Sequence, residues 1–381
     1  MNRTDTFRPL RNMSSNAPDT DGARKDMDAA QLRESLRILA NVLMDAAEPV
    51  ERLRASVADL EEMLEPLRGI PSALKDDAQR YRLRSPTGEV ISPGYAISTM
   101  TDAVRTAKYL RGLVRAIRAA REKFPGERIE IIYAGPGPNA PFLLLVTPFF
   151  APEEIAFTLL EVLPESAEGA RRLIEAMELG AYVSKLAIAD AVTYKHEGAK
   201  PHIAVAEIML RALRREGQFA VFKNLAPQLV EGGFLVPEEI ELHATLTDPH
   251  RELSNVKGYP LPAEGVALRR ELGSILKLSL TELLKVYEQD PEAYAELTEW
   301  PTANFIIPAL ETSATTWTIM TRIRLFEDLV LEEGESGLTM PSYETDIPPV
   351  QQGDEIHNTF QLGAVPGLYC RHQRPRMRIL P

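Results

Sequence analysis

Residues 128–139 read Arg-Ile-Glu-Ile-Ile-Tyr-Ala-Gly-Pro-Gly-Pro-Asn: an extended apolar run that gives way to a turn holding Gly135 and Gly137. Isoleucines and a tyrosine in succession predict a buried strand, and the glycines a sharp turn after it. An amphipathic helical pattern, Ser92 to Ala120, precedes this stretch. Downstream the alternation continues. Ile155 to Leu163 reads as strand, Ser166 to Met177 as helix, Ala181 to Ile188 as strand and Ile203 to Ala206 as a short strand. Leu210 to Leu229 is mainly helical, and Gly233 to Pro237 leads into a strand over Glu239 to Thr245. Strands and helices in this rhythm predict an α/β fold with one parallel, Rossmann-like sheet flanked by helices.

Outward from that sheet the pattern changes. Residues 1–28 are polar and aperiodic, the signature of a flexible arm. Leu32, Leu36, Leu39 and Leu43, then Leu53, Val57, Leu60 and Leu64, recur at helical spacing and predict two helices. Residues 29–91 are expected to form a helical cover over a ligand pocket in a central domain, residues 92–248. Beyond Pro249, Leu268 to Tyr287 looks helical. Thr302 to Leu331 then alternates through Trp317, Ile319, Thr321, Ile323 and Leu325. Residues 249–381 are therefore expected to form a helix followed by a smaller, antiparallel β-rich domain.

Composition narrows the function classes. The 381 residues carry 43 basic against 55 acidic side chains, a net charge of −12, with no global footprint for nucleic acid. One cysteine, Cys370, excludes an intrachain disulfide framework, and six histidines beside it make a structural metal site improbable. The longest apolar run, Ala140 to Ala151, is broken by Pro141 and Pro148 and is too short to span a bilayer. The N-terminus has no apolar h-region, so a cytoplasmic location is the default.

Three stations carry the chemistry. Glycines after a strand let a ligand approach the backbone, and the following helix offers unpaired N–H groups. Glu161 ends the next strand, where a carboxylate can accept both hydroxyls of a ribose. Asp190, between Ala189 and Ala191, ends the third strand, where it can receive an adenine amino group. Tyr95, Tyr109 and Tyr133 are candidates to pack around a cation.

The order of these stations resembles the class I S-adenosylmethionine (SAM)-dependent methyltransferases, and more narrowly the protein arginine methyltransferases. Asp102-Ala-Val-Arg105-Thr106-Ala-Lys-Tyr109 is similar to that branch's Asp-x-Val-Arg-Thr-x-x-Tyr helix, whose arginine grips the SAM carboxylate. Ala206-Glu207-Ile-Met209 with Glu216 resembles its double-glutamate loop, in which two carboxylates hold a guanidinium. Pro138 stands where the family has its third glycine and Tyr133 where it has an aspartate. The branch's Thr-His-Trp loop has no counterpart; His357 lies in a comparable region among unrelated neighbours.

The resemblance implies SAM as cofactor or substrate, held by Tyr95, Arg105, Tyr109, Tyr133, Ala134, Gly135, Gly137, Asn139, Glu161, Asp190 and Ala191. Glu207 and Glu216 are the expected catalytic pair, with no metal. Three activities follow: methylation of an amine or guanidine on a small molecule; cyclisation of SAM to methylthioadenosine and azetidine-2-carboxylate; and, behind them, protein arginine methylation. The expected partners are a small-molecule substrate, neither nucleic acid nor membrane, and as one option a second copy of the chain.

Overall fold

The computed structural model describes residues 27–70, 82–85 (backbone only), 88–253 and 263–375. The arm expected over residues 1–28 lies, but for Met27 and Asp28, outside them. Helix α1 (Ala29–Met44) starts at a capping box, Asp28 accepting from Gln31 N while the Gln31 side chain accepts from Asp28 N. Its leucines at 32, 36, 39 and 43 are buried, as are Leu53, Val57, Leu60 and Leu64 of α2 (Val50–Arg68). A β-hairpin follows, β1 (Arg82–Ser85) and β2 (Gly88–Ile91). The helix expected over Ser92 to Ala120 is two, α3 (Pro93–Thr99) and α4 (Ala103–Lys123). Asp102 interrupts them because its carboxylate caps Arg105 N.

The parallel sheet consists of β3 (Ile129–Ala134), β4 (Ile155–Glu161), β5 (Val183–Ile188), β6 (Ile203–Ala206) and β7 (Phe234–Val236), in the order β5-β4-β3-β6-β7. All seven residues of β4 and all four of β6 are buried, as a central strand covered on both faces requires. Between the strands run α5 (Pro141–Val146), α6 (Pro164–Ala176) and α7 (Gln218–Leu225). The chain reverses winding at β3, and such switch points are where open α/β sheets leave a crevice for ligands.

The expected parallel sheet does not include Glu239 to Thr245. That segment, β8 (Glu239–Thr247), pairs antiparallel with β9 (Arg270–Ser279) and β12 (Thr316–Phe326) in a second sheet, β13-β12-β8-β9, with β14 on β12. There β13 is Leu329–Leu331 and β14 Ser342–Tyr343. The helix expected over Leu268 to Tyr287 is half strand: β9 runs to Ser279, whose hydroxyl caps α8 (Leu280–Gln289). Lys277 and Leu278 pair with Glu241 and Ile240, and that ladder overrides the local helical period. A third sheet places β15 (Glu355–Gln361) between β10 (Glu299–Trp300) and β11 (Phe305–Ile306), with β16 (Gly367–Gln373) on β15.

The N-terminal helices do not roof the crevice. α1 packs on α4 and α5, and α2 on α4 and α6. Their leucines face the helical layer of the sheet, the larger apolar surface within reach. Among the described residues of 29–91, those that line the crevice belong to β2, Gly88 to Ile91. Among the described residues no helix is long and apolar enough to cross a membrane.

Candidate functional site

Strand register assembles the site. Ala134, the last residue of β3, pairs with Leu160 of β4 and with Ala206 of β6. The next residue on each strand, Gly135, Glu161 and Glu207, therefore emerges at one level of the carboxyl edge. Glu161 in turn pairs with Ile188, so Asp190 and Ala191 lie just beyond the same edge. A cleft opens there, its empty space about 1140 Å³ with the mouth included, bounded by Tyr133, Gly135, Gly137, Glu161, Asp190 and Ala191.

Gly135 and Gly137 adopt φ of 66° and 61°, the left-handed region that glycine enters without strain. A Cβ on Gly135 would run into Ile208 Cγ2, so the turn also needs the missing side chain for room. Pro138 packs against α6: a Cβ on Gly169 would come to 2.9 Å from Pro138 Cβ. Glu161 is buried; one oxygen accepts from Gly137 N at 3.0 Å and the other from Leu163 N at 2.9 Å. Burial raises its carboxyl above the ordinary range, against the pull of those N–H donors. The Val162 N–H also acts on this carboxylate, and the acceptor capacity that remains suits a ribose hydroxyl. Asp190 accepts from Val192 N at 2.9 Å through Oδ1 in a turn.

Arg105 reaches the same cleft from α4, nearly buried. It donates through Nη1 to Glu207 Oε1 at 2.9 Å and through Nη2 to the carbonyl of Thr99. Glu207 has 13% of its side chain exposed. Desolvation lifts its carboxyl from 4.5 to about 7; Arg105 opposes the rise and Asp102 adds to it. Burial disfavours the charge on Arg105, yet Glu207 and Asp102 hold its pKa above the ordinary value. With two of its five N–H groups donated to Glu207 and Thr99, the guanidinium keeps three for a ligand carboxylate.

The loop from Glu207 to Glu216 is irregular, where the sequence suggested mostly helix from Leu210. Ala212, Leu213 and Arg215 have positive φ, a conformation that L-residues keep only under constraint. The constraints are visible. Fully buried Gln218 accepts from Ile208 N at 3.0 Å and donates to Ala206 O at 3.3 Å. Ala212 N donates to Thr321 Oγ1, Arg215 N to Pro366 O, and Arg214 pairs with Glu344, all from the β-rich part. Glu89 N of the hairpin donates to Arg215 O.

A second cleft of about 830 Å³, mouth included, adjoins the first. Ile91, Thr99, Arg105, Glu207 and Glu216 border both. Tyr95 borders only the second, so it stands apart from the glycine turn with which it was grouped. Tyr109 borders neither; its ring stacks on Phe142 at 5.3 Å inside the core. Tyr133 alone of the three tyrosines faces the first cleft. Asn139 borders that cleft, but its amide is committed elsewhere: Nδ2 donates to Glu61 and Oδ1 accepts from Arg68, both on α2. His357 is half exposed beside Glu355 on β15 and borders neither cleft.

Sequence reasoning missed Gln218, Thr321 and the β2 hairpin strand. Gln218 sits two residues beyond Glu216, but nothing in its type marks it as the clamp of the loop. Thr321 is 109 positions from its partner, out of reach of any local pattern.

The chain is similar to a solved structure from Trypanosoma brucei, the PRMT1 enzyme–prozyme heterotetrameric complex with AdoHcy. Identity is 12%, 74% of this chain and 98% of that chain are covered, and the TM-score is 0.47. No protein-family model matches the chain, and no curated protein does.

Proposed function

We propose that the protein is a SAM-dependent transferase that methylates an amine or guanidine nitrogen of a small molecule. The observation that carries this reading is the pair of adjoining clefts with Arg105, Glu207 and Glu216 on their common border. One cleft has the glycine turn and the two strand-end acids suited to a nucleoside. The other gives a second reactant its own entrance. Cyclisation of SAM needs no such second entrance, so the transfer reading is the better supported.

When bound, SAM supplies a methyl group on a sulfonium, a carbon already activated for displacement. The chain's residues do the rest. Arg105 takes the amino-acid carboxylate, Glu161 the ribose hydroxyls and Asp190 the adenine amino group. Tyr133 offers an aromatic face toward positive charge. Glu207 and Glu216 orient the acceptor nitrogen, whose lone pair forms the new N–C bond as the C–S bond breaks with its pair going to sulfur. The nitrogen's proton passes to the Glu207 carboxylate, whose pKa of about 7 suits a base at neutral pH. Alignment of the reactants provides most of the acceleration in such a displacement.

Incubation with SAM, with and without a set of small amines and guanidines, followed by mass spectrometry, tests the reading. S-Adenosylhomocysteine that forms only with an acceptor supports it. Methylthioadenosine released from SAM alone overturns it in favour of cyclisation, and methylation of protein substrates only would move the assignment to the arginine-protein branch.

A further inference from the structure

We infer that Arg211 sets the acceptor class: a small zwitterion, with an amine or guanidine at one end and a carboxylate at the other. The inference rests on the transferase reading, because it concerns the second cleft. Among the described residues, five charged side chains border that cleft: Asp102, Glu207 and Glu216, with Arg105 and Arg211. Four of them are engaged within the protein. Asp102 accepts from Ser336 Oγ at 2.6 Å and from Gly337 N at 3.2 Å. Arg105 and Glu207 hold each other. Glu216 is buried and has its own interactions.

Arg211 differs. Its side chain is exposed, and no described carboxylate forms an ion pair with it, although Arg214 nearby is bound to Glu344. Its backbone is nonetheless fixed: Leu213 N donates to Leu210 O across it, and Ala212 N is tied to Thr321. An exposed guanidinium with no described carboxylate partner thus borders a cleft that Asp102, Glu207 and Glu216 line from more buried positions, beside Arg105. Ile91, Met209, Leu210 and Leu338 border the same cleft and give it apolar surface, suited to a short run of methylenes. A dication or a plain amine meets like charge at the rim. A molecule with a free carboxylate there gains a charge-assisted, bidentate contact instead. An arginine or lysine inside a peptide has no such carboxylate to offer.

The test uses the full chain saturated with S-adenosylhomocysteine, titrated calorimetrically with L-arginine against agmatine and L-lysine against cadaverine. The members of each pair differ by the carboxylate alone. The carboxylated member of at least one pair should bind about fivefold more tightly, the upper range for a solvent-facing ion pair. Arg211→Gln should reduce that preference below about twofold and Arg211→Lys should restore part of it, with S-adenosylhomocysteine affinity unchanged in both. Equal or tighter binding of agmatine and cadaverine, an undiminished preference in Arg211→Gln, or no binding by any of the four overturns the inference. Failure of S-adenosylhomocysteine itself to bind appears in the first titration and refutes the transferase reading instead.

Discussion

Glu207→Gln offers a test of the buried carboxyl that needs no known substrate. Burial lifts the Glu207 carboxyl from 4.5 to about 7. A carboxyl raised on folding stabilises the native state fully below its unfolded pKa, and that contribution is lost as pH climbs through the folded pKa. Each unit is worth about 1.4 kcal/mol, so this one group withdraws roughly 2–3 kcal/mol of stability between pH 5 and pH 8. Glutamine has the same shape and no charge to bury. The variant's advantage should be smallest near pH 5, where Glu207 is protonated in the folded chain, and widen steadily toward pH 8. Urea unfolding of both proteins, followed by circular dichroism at four pH values, reads the difference directly. A gap that stays constant within about 0.5 kcal/mol from pH 5 to pH 8 would refute the assignment of a raised pKa to this residue. If the proposed role is right, the same substitution lowers turnover by about 10²-fold at pH 7.5, with little change in cofactor affinity.

Glu161→Ala removes the acceptor of Gly137 N and Leu163 N as well as the ribose acceptor, and affinity for S-adenosylhomocysteine should fall at least about tenfold; unchanged calorimetric affinity in the folded variant rules the ribose role out. Gly135→Ala should be destabilised by about 1–3 kcal/mol through its φ of 66° and its clash with Ile208. Adding Ile208→Ala should recover the steric part only, and full recovery in thermal melts would mean that the backbone conformation imposes no strain. On α2, Arg68 is 2% exposed against 23% for Glu61. Glu61→Ala should therefore cost more than Arg68→Met, because it strands a buried charge, at about 3 kcal/mol or above; the reverse order in denaturant midpoints contradicts this. Thr321→Val deletes the acceptor of Ala212 N and should loosen the Glu207–Glu216 loop, raising the KM for the acceptor and leaving cofactor affinity unchanged; equal loss of both would place Thr321 in general stability.

The legible part of the fold was the part dictated by local pattern. Ile129 to Ala134 and Ile155 to Glu161 are apolar on both faces, and a strand buried on both sides has few other fates. Because Glu161 ends its strand and Gly135 and Glu207 directly follow Ala134 and Ala206, finding these strands, with Ile203 to Ala206, also found the three stations. The segment from Leu268 misled because Ile275, Leu276 and Leu278 satisfy a helical stripe as readily as a strand. Only pairing with β8, more than 30 positions away, decides between them. The N-terminal leucines announced an apolar partner without saying which one, and the helical layer took them in place of the crevice. Tyr109 and Asn139 lie in the right stretch of sequence, but burial against Phe142 and the Arg68–Glu61 pair absorbs their functional groups.

The acids at the reacting end and the frame that shapes them come from different stretches of chain. Glu207 and Glu216 stand on the parallel-sheet domain, whereas Thr321, Glu344 and Pro366, which bend the loop between them, belong to the antiparallel sheets and their connections. Gly135, Glu161 and Asp190, which we propose hold the nucleoside, are set instead by neighbouring strands. On the proposed reading, change in the β-rich part therefore retunes which molecule is accepted while Gly135, Glu161 and Asp190 stay as they are.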